Sequence, residues 1–135
     1  MPTASRAPTS VAAHIAPVRD GVLVVRLMGL ITAASLRQIK ADVMATMTPD
    51  ARALILDYTG AAVVIDGAAL DAVMLDGAAG GAAAMPAAML VQSACIDLFV
   101  GHARRMVAAR HVRRVFVEPG HALAWARHQA LQSAG

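Results

Sequence analysis

The 135 residues are 58% hydrophobic, which is material for one core and too short a chain for two ordinary ones. Charged residues make up 16% and aromatic residues 3%, so the net charge of +3 comes without a set of rings for stacking bases, and nucleic acid is not an expected partner. The one cysteine, Cys95, excludes an intramolecular disulfide and any metal cluster built from several cysteines of one chain.

Residues 1–10, MPTASRAPTS, lack apolar periodicity and the unbroken apolar core of a signal peptide. They are expected to form a mobile tail ahead of a single domain over residues 11–135, and the cytoplasm is the expected compartment. A first strand is expected near Val11 to Val18. Arg19-Asp20-Gly21 supplies a turn, since Asp-Gly tolerates the positive φ that tight hairpins need. Val22 to Met28, apolar except for Arg26, reads as a strand buried on both faces and ended by Gly29. Thr32 or Ser35 caps the helix that follows, on which Leu36, Ile39, Val43 and Met47 fall at helical spacing. Thr48-Pro49-Asp50 stops it, because proline breaks the hydrogen-bond ladder.

Ala53 to Leu56 is a second buried strand, ending at Asp57. A loop from Tyr58 to Ile65 leads to Asp66, placed to cap a short helix carrying Leu70, Val73 and Met74. Gly77 to Ala84, GAAGGAAA, reads as a connection of small residues; it lacks the Lys-Ser/Thr pair of a phosphate-binding loop. The wider stretch from Gly77 to Val91 is too rich in Gly and Ala, and broken by Pro86, to be a membrane span. Ala87 to Val91 is a third buried strand, and Ser93 caps a third helix with a stripe of Ile96, Phe99, Val100, Ala103, Met106 and Val107. Arg113-Arg114 leads into a last strand over Val115 to Val117, and Glu118-Pro119-Gly120 opens a final helix reaching about Gln132. A hairpin followed by helix–strand alternation gives an α/β sandwich around a mixed, mostly parallel sheet of about four or five strands with about four helices.

Few residues invite chemistry. Asp57 and Asp66 would have to converge to act as an acid/base pair or hold Mg²⁺; separate capping roles are the simpler reading. His14, His102, His111, His121 and His128 are scattered and read as surface residues, with no metal-ligand spacing. Cys95 reads as a small packed residue and not as a nucleophile. Arg104, Arg105, Arg110, Arg113 and Arg114, with His102 and His111, read as a solvated basic face that an acidic protein or anionic headgroups would fit. Trp125, with Leu123, reads as core or domain edge. With no convergent nucleophile, base and oxyanion donor, catalysis is not expected, and neither a metal nor another cofactor is called for.

Three segments carry a resemblance. GVLVVRLMGLITAASLRQI resembles the opening of STAS domains, and ALILDYTGAAVVIDGAAL resembles the signature in which a buried strand ends in Asp and an Asp-Ser-Ser/Thr-Gly turn starts the next helix. RRVFVEPGHALAWA is similar to the family's closing strand and helix, so the likeness runs from about Val18 to Gln129. It implies a STAS-like sandwich of the anti-sigma-factor-antagonist, SpoIIAA-like kind: a regulatory module without catalytic activity. The implied partner is a protein, either a histidine-kinase-like anti-sigma factor or another STAS protein, with a homodimer as a further arrangement.

In such antagonists a kinase phosphorylates a hydroxyl in that turn. Here Asp66 matches the Asp, Gly67 the first hydroxyl residue, Ala68 the phosphoacceptor and Ala69 the glycine. Ala68 has no hydroxyl, so the switch is absent at this position. The expected partner surface comprises Thr59, Gly60, Val63, Ile65, Asp66, Gly67, Ala68 and Leu70, where small residues allow close approach and Val63, Val64 and Ile65 offer apolar contact. The competing reading is a carrier or sensor of an apolar or anionic small molecule or lipid, which an internal cavity would favour.

Overall fold

The structure, a computed structural model, describes residues 12–75 and 85–134. The N-terminal segment read as a tail and the Gly77–Ala84 connection lie outside the described residues. A five-stranded sheet has the order β1 (Ala12–Ile15), β2 (Val22–Ile31), β3 (Ala53–Val63), β4 (Ala87–Leu90), β5 (Arg113–Phe116). β1 is antiparallel to β2, and every other neighbouring pair is parallel. The helices are α1 (Ala33–Thr46), α2 (Gly67–Leu75), α3 (Ile96–Ala108) and α4 (Pro119–Ala134). None of the described helices is long and apolar enough to cross a membrane.

The β1–β2 turn forms as its residues require. Asp20 has φ 54° and Gly21 φ 77°, and Arg19 and Val22 exchange backbone hydrogen bonds across it. Both hydroxyls proposed to start α1 take part. Thr32 is the N-cap; its Oγ1 accepts from Ser35 N at 3.2 Å, while Thr32 N donates to Ser35 Oγ at 2.8 Å.

The sheet separates two cores by alternation along its strands. Leu23, Val25, Leu27, Leu54, Tyr58, Ala87 and Met89 face α1, α2 and α3, packing with Leu36, Ile39, Val43, Leu70, Val73 and Phe99. Val22, Ala53, Ile55, Ala88 and Leu90 face the opposite way, where α4 lays down Ala122, Ala126 and Ala130. Those alanines are four apart, so one methyl stripe sets the distance between helix and sheet.

Five local expectations need correction. Gly29 does not end β2; with φ 86° it passes through the strand, just beyond a register shift between Arg26 and Met28. β3 does not end at Asp57 but runs to Val63, because Met28–Ile31 continue to pair with Gly60–Val63. Ser93 caps no α-helix: Ser93–Cys95 form a 3₁₀ turn, and α3 starts from Cys95 without a side-chain cap. The buried stripe of α3 is Phe99, His102, Ala103 and Met106, while Val107 is 56% exposed. The last strand, expected over Val115–Val117 with Arg113-Arg114 leading into it, is β5 over Arg113–Phe116, so both arginines belong to the strand and Val117 lies beyond it.

Candidate functional site

Along the chain from β3 through the turn into α2, two carboxylates have separate tasks: Asp57 lies within β3 and Asp66 at the start of α2. Asp57 Oδ1 accepts from Thr59 N at 2.9 Å and from Thr59 Oγ1 at 2.6 Å, and Asp57 Oδ2 lies 3.9 Å from Arg26 Nε on the neighbouring strand. Asp66 caps α2: its Oδ1 accepts from Ala69 N at 2.8 Å, and its backbone carbonyl from Leu70 N at 2.9 Å. Asp66 is the expected N-cap, whereas Asp57, read as capping a loop, lies inside β3 and bonds Thr59 two residues on.

Past the pairings Ala12↔Met28 and Asp57↔Leu90, β2 and β3 continue together as a two-stranded extension among the described residues. This carries Gly60 and Ala62 to the surface, with Thr59, Ala61 and Val63 half-buried. Asp66 and Ala68 are exposed and Gly67 is half-buried at the start of α2. Two residues of the expected surface belong elsewhere: Ile65 is 7% exposed and Leu70 0%, both in the core beneath α2. A helix that docks on the sheet must turn its apolar face inward; Leu70 and Val73 supply that face, and Ile65 enters the same core just ahead of the helix. Met28 (44% exposed), over Gly60, and Val64 (59% exposed) present apolar surface instead.

Behind this turn lies a polar cluster that the histidine spacing did not announce. His102 is fully buried, and its Nδ1 is 2.6 Å from Oδ1 of Asp71 on α2. Arg105 Nε donates to the other oxygen of Asp71, and the guanidinium lies against Gly67 and Gly101. A Cβ at Gly67 would stand 3.0 Å from Arg105 Nη2, so glycine leaves room for that arginine. Burial would raise the Asp71 carboxyl, but bonds from Arg105 and His102 outweigh it and hold the group below the usual range. Burial draws the His102 imidazole below its ordinary value despite the pull of Asp71. A neutral His102 beside an ionised Asp71 therefore carries its proton on Nδ1, leaving Nε2 as an acceptor. One sequence signal did exist: His102 falls three residues after Phe99 and four before Met106, on the inward stripe.

Tyr58 lies in the same layer, 2% exposed, its ring 4.6 Å from that of Phe99. Burial pushes its phenol above the ordinary range, so the hydroxyl keeps its proton. Arg113 donates through Nη1 to Met85 O and Val112 O, each at 2.8 Å. The expected basic face is thus divided: His102 is buried and Arg113 half-buried, while Arg104, Arg105, Arg110 and Arg114 are exposed, Arg105 bonded to Asp71 and Arg114 lying 5.7 Å over the Phe116 ring.

Of the other histidines, His111 is half-buried and His14, His121 and His128 are exposed. Cys95 is half-buried against the core, and Trp125 packs at 5.8 Å against Phe116. Among the described residues no three His, Cys, Asp or Glu side chains are grouped as metal ligands.

No protein-family model matches the sequence, and no curated protein is significantly similar to it. Solved structures do match. An anti-sigma factor antagonist from Mycobacterium paratuberculosis superposes with a TM-score of 0.61 at 19% identity, over 90% of this chain and 97% of that one. An uncharacterized protein with a SpoIIAA-like fold from Shewanella loihica gives 0.55 at 18% identity, over 90% and 98%. The anti-sigma factor antagonist SpoIIAA in its unphosphorylated form gives 0.53 at 17% identity, over 86% and 98%. The chain has the SpoIIAA-like fold of STAS domains, as its three sequence segments suggested.

Proposed function

We propose that the chain is a cytoplasmic, non-catalytic regulatory module that docks a protein partner through the β3–α2 turn and is not switched by phosphorylation at that turn. The observation that carries this reading is Ala68 itself, exposed on the first turn of an Asp66-capped helix, with a methyl where a hydroxyl would accept phosphate. The relatives in fold that are anti-sigma factor antagonists support a protein as partner: a histidine-kinase-like anti-sigma factor, or a second STAS domain of this or another chain. The contact surface is Thr59, Gly60, Val63, Asp66, Gly67 and Ala68, joined by Met28 and Val64 and without Ile65 and Leu70.

Ala68→Glu tests it by separating stability from binding. A carboxylate in the first turn of a helix is favoured by about 0.3–1 kcal/mol, so the melting temperature holds or rises slightly. On docking, the same charge must be desolvated, and affinity falls roughly tenfold or more. Calorimetry with the partner beside thermal melts reads both. A folded Ala68→Glu protein with unaltered affinity would place the surface elsewhere, and wild-type binding that depends on ATP would restore a phosphorylation switch at another hydroxyl such as Thr59.

A further inference from the structure

The interior of the three-helix face holds a donor that the surface reading does not use. Tyr58 lines a cavity of about 60 Å³, and its buried Oη has no hydrogen-bond partner among the described residues. One water needs about 10–15 Å³ by such a measure, so the space equals roughly four to six waters. Leu27, Leu36, Ile39, Val43 and Leu54 form much of the wall, and waters among them would lack the polar partners that hold a buried water in place. Burial keeps the phenol protonated, so its unmet requirement is for an acceptor. The cations of the lining are engaged with the protein: Lys40 Nζ donates to Val73 O at 2.9 Å, and Arg113 Nη1 to Met85 O and Val112 O. An anion among the aliphatic side chains would bear its desolvation cost with no cation reserved for it, and a further cation would be repelled. The opening lies between α1 and α2, where Met44 is 46% exposed and Met74 half-buried, and flexible thioether chains yield readily to an entering molecule.

We propose that this cavity binds a small uncharged aliphatic molecule bearing an oxygen acceptor, with that oxygen on the Tyr58 hydroxyl and the hydrocarbon part among the aliphatic side chains. A short aliphatic ketone has this chemistry: one acceptor, no charge and a body small enough for the cavity. Burial of the hydrocarbon supplies the affinity, and one hydrogen bond in a water-poor chamber selects among apolar ligands. Binding here needs no protein partner, so it is tested apart from docking at the β3–α2 turn.

Titration of the full chain with 2-pentanone, followed by its methyl and backbone resonances, decides it, with sodium pentanoate as the charged counterpart. Expected are saturable shifts centred on Leu27, Leu36, Ile39, Val43 and Leu54, and pentanoate binding weaker by about tenfold or more. Tyr58→Phe keeps the ring and removes the donor. It should leave the melting temperature of the free protein unchanged or raised, since the hydroxyl has no partner among the described residues to lose. The same change should weaken 2-pentanone binding roughly tenfold. Five results would overturn the proposal: no saturable shift, pentanoate as tight as the ketone, equal ketone affinity in a folded Tyr58→Phe protein, a lower melting temperature for that variant, or a 2-pentanone-soaked crystal holding only water in the cavity.

Discussion

The two faces of the sheet are packed by opposite means. On one side α4 presents Ala122, Ala126 and Ala130, each at most 2% exposed, so the helix meets the strands across single methyl groups. On the other, α1, α2 and α3 bring Leu, Ile, Val, Met and Phe against Tyr58, enclosing a cavity, a buried imidazole and an unmatched phenol. Methyl-on-sheet contact leaves almost nothing to rearrange, and a Cβ added at Gly21 would already stand 3.1 Å from that of Ala130. Large side chains leave gaps where they fail to interdigitate, and such gaps can be put to use. The α4 face is scaffold; the three-helix face carries both the turn and the pocket.

Paired substitutions sharpen that contrast most. Ala126→Leu forces extra carbons into the closed face and should cost about 1–3 kcal/mol in denaturant unfolding. Val43→Ile adds one methylene beside the cavity and should leave stability unchanged or raise it by up to about 1 kcal/mol. Equal losses from both would mean that the two faces are packed alike.

The contrast between the faces also bears on what the sequence allowed. Element order followed from periodicity and turn residues, since β-branched runs and the spacing of Leu36, Ile39 and Val43 are local signals. The far halves of β2 and β3 were not legible, because Gly29 and Gly60–Ala62 read locally as loop and are held extended only by each other. Tyr58 did continue the alternation of Leu54 and Leu56, which was the available clue. Likewise His102 was read as a surface residue although it falls on the inward stripe of α3, because its partner, Asp71, is 31 positions away and nothing local announces that pairing. Asp66 and Ala68 were legible, being a cap and an exposed first-turn residue set by neighbours in sequence.

A smaller effect comes from pH. The folded His102 lies below its ordinary value through burial, faced by Asp71 of α2, Arg105 of α3 and Arg113 of β5. The unfolded chain therefore takes up the proton first, near pH 6.5, and the folded chain later. Stability from this group is complete above about 6.5 and is lost as pH falls from there through the lower folded value. Thermal melts from pH 8 to pH 5 should show that decline, and His102→Gln should flatten it. An unchanged slope in a folded His102→Gln protein would assign the decline to other groups.

The central claim, a partner docked on the β3–α2 turn, is tested most directly by site-specific photo-cross-linking. A benzophenone amino acid is placed at position 68 in one protein and at position 131, on the exposed side of α4, in another, since Leu131 is 73% exposed and also open to solvent. In cells producing the chain, a discrete protein adduct should form from position 68, independent of kinase activity, and should be absent from position 131. Adducts from position 131 alone, or from both positions equally, would contradict the account.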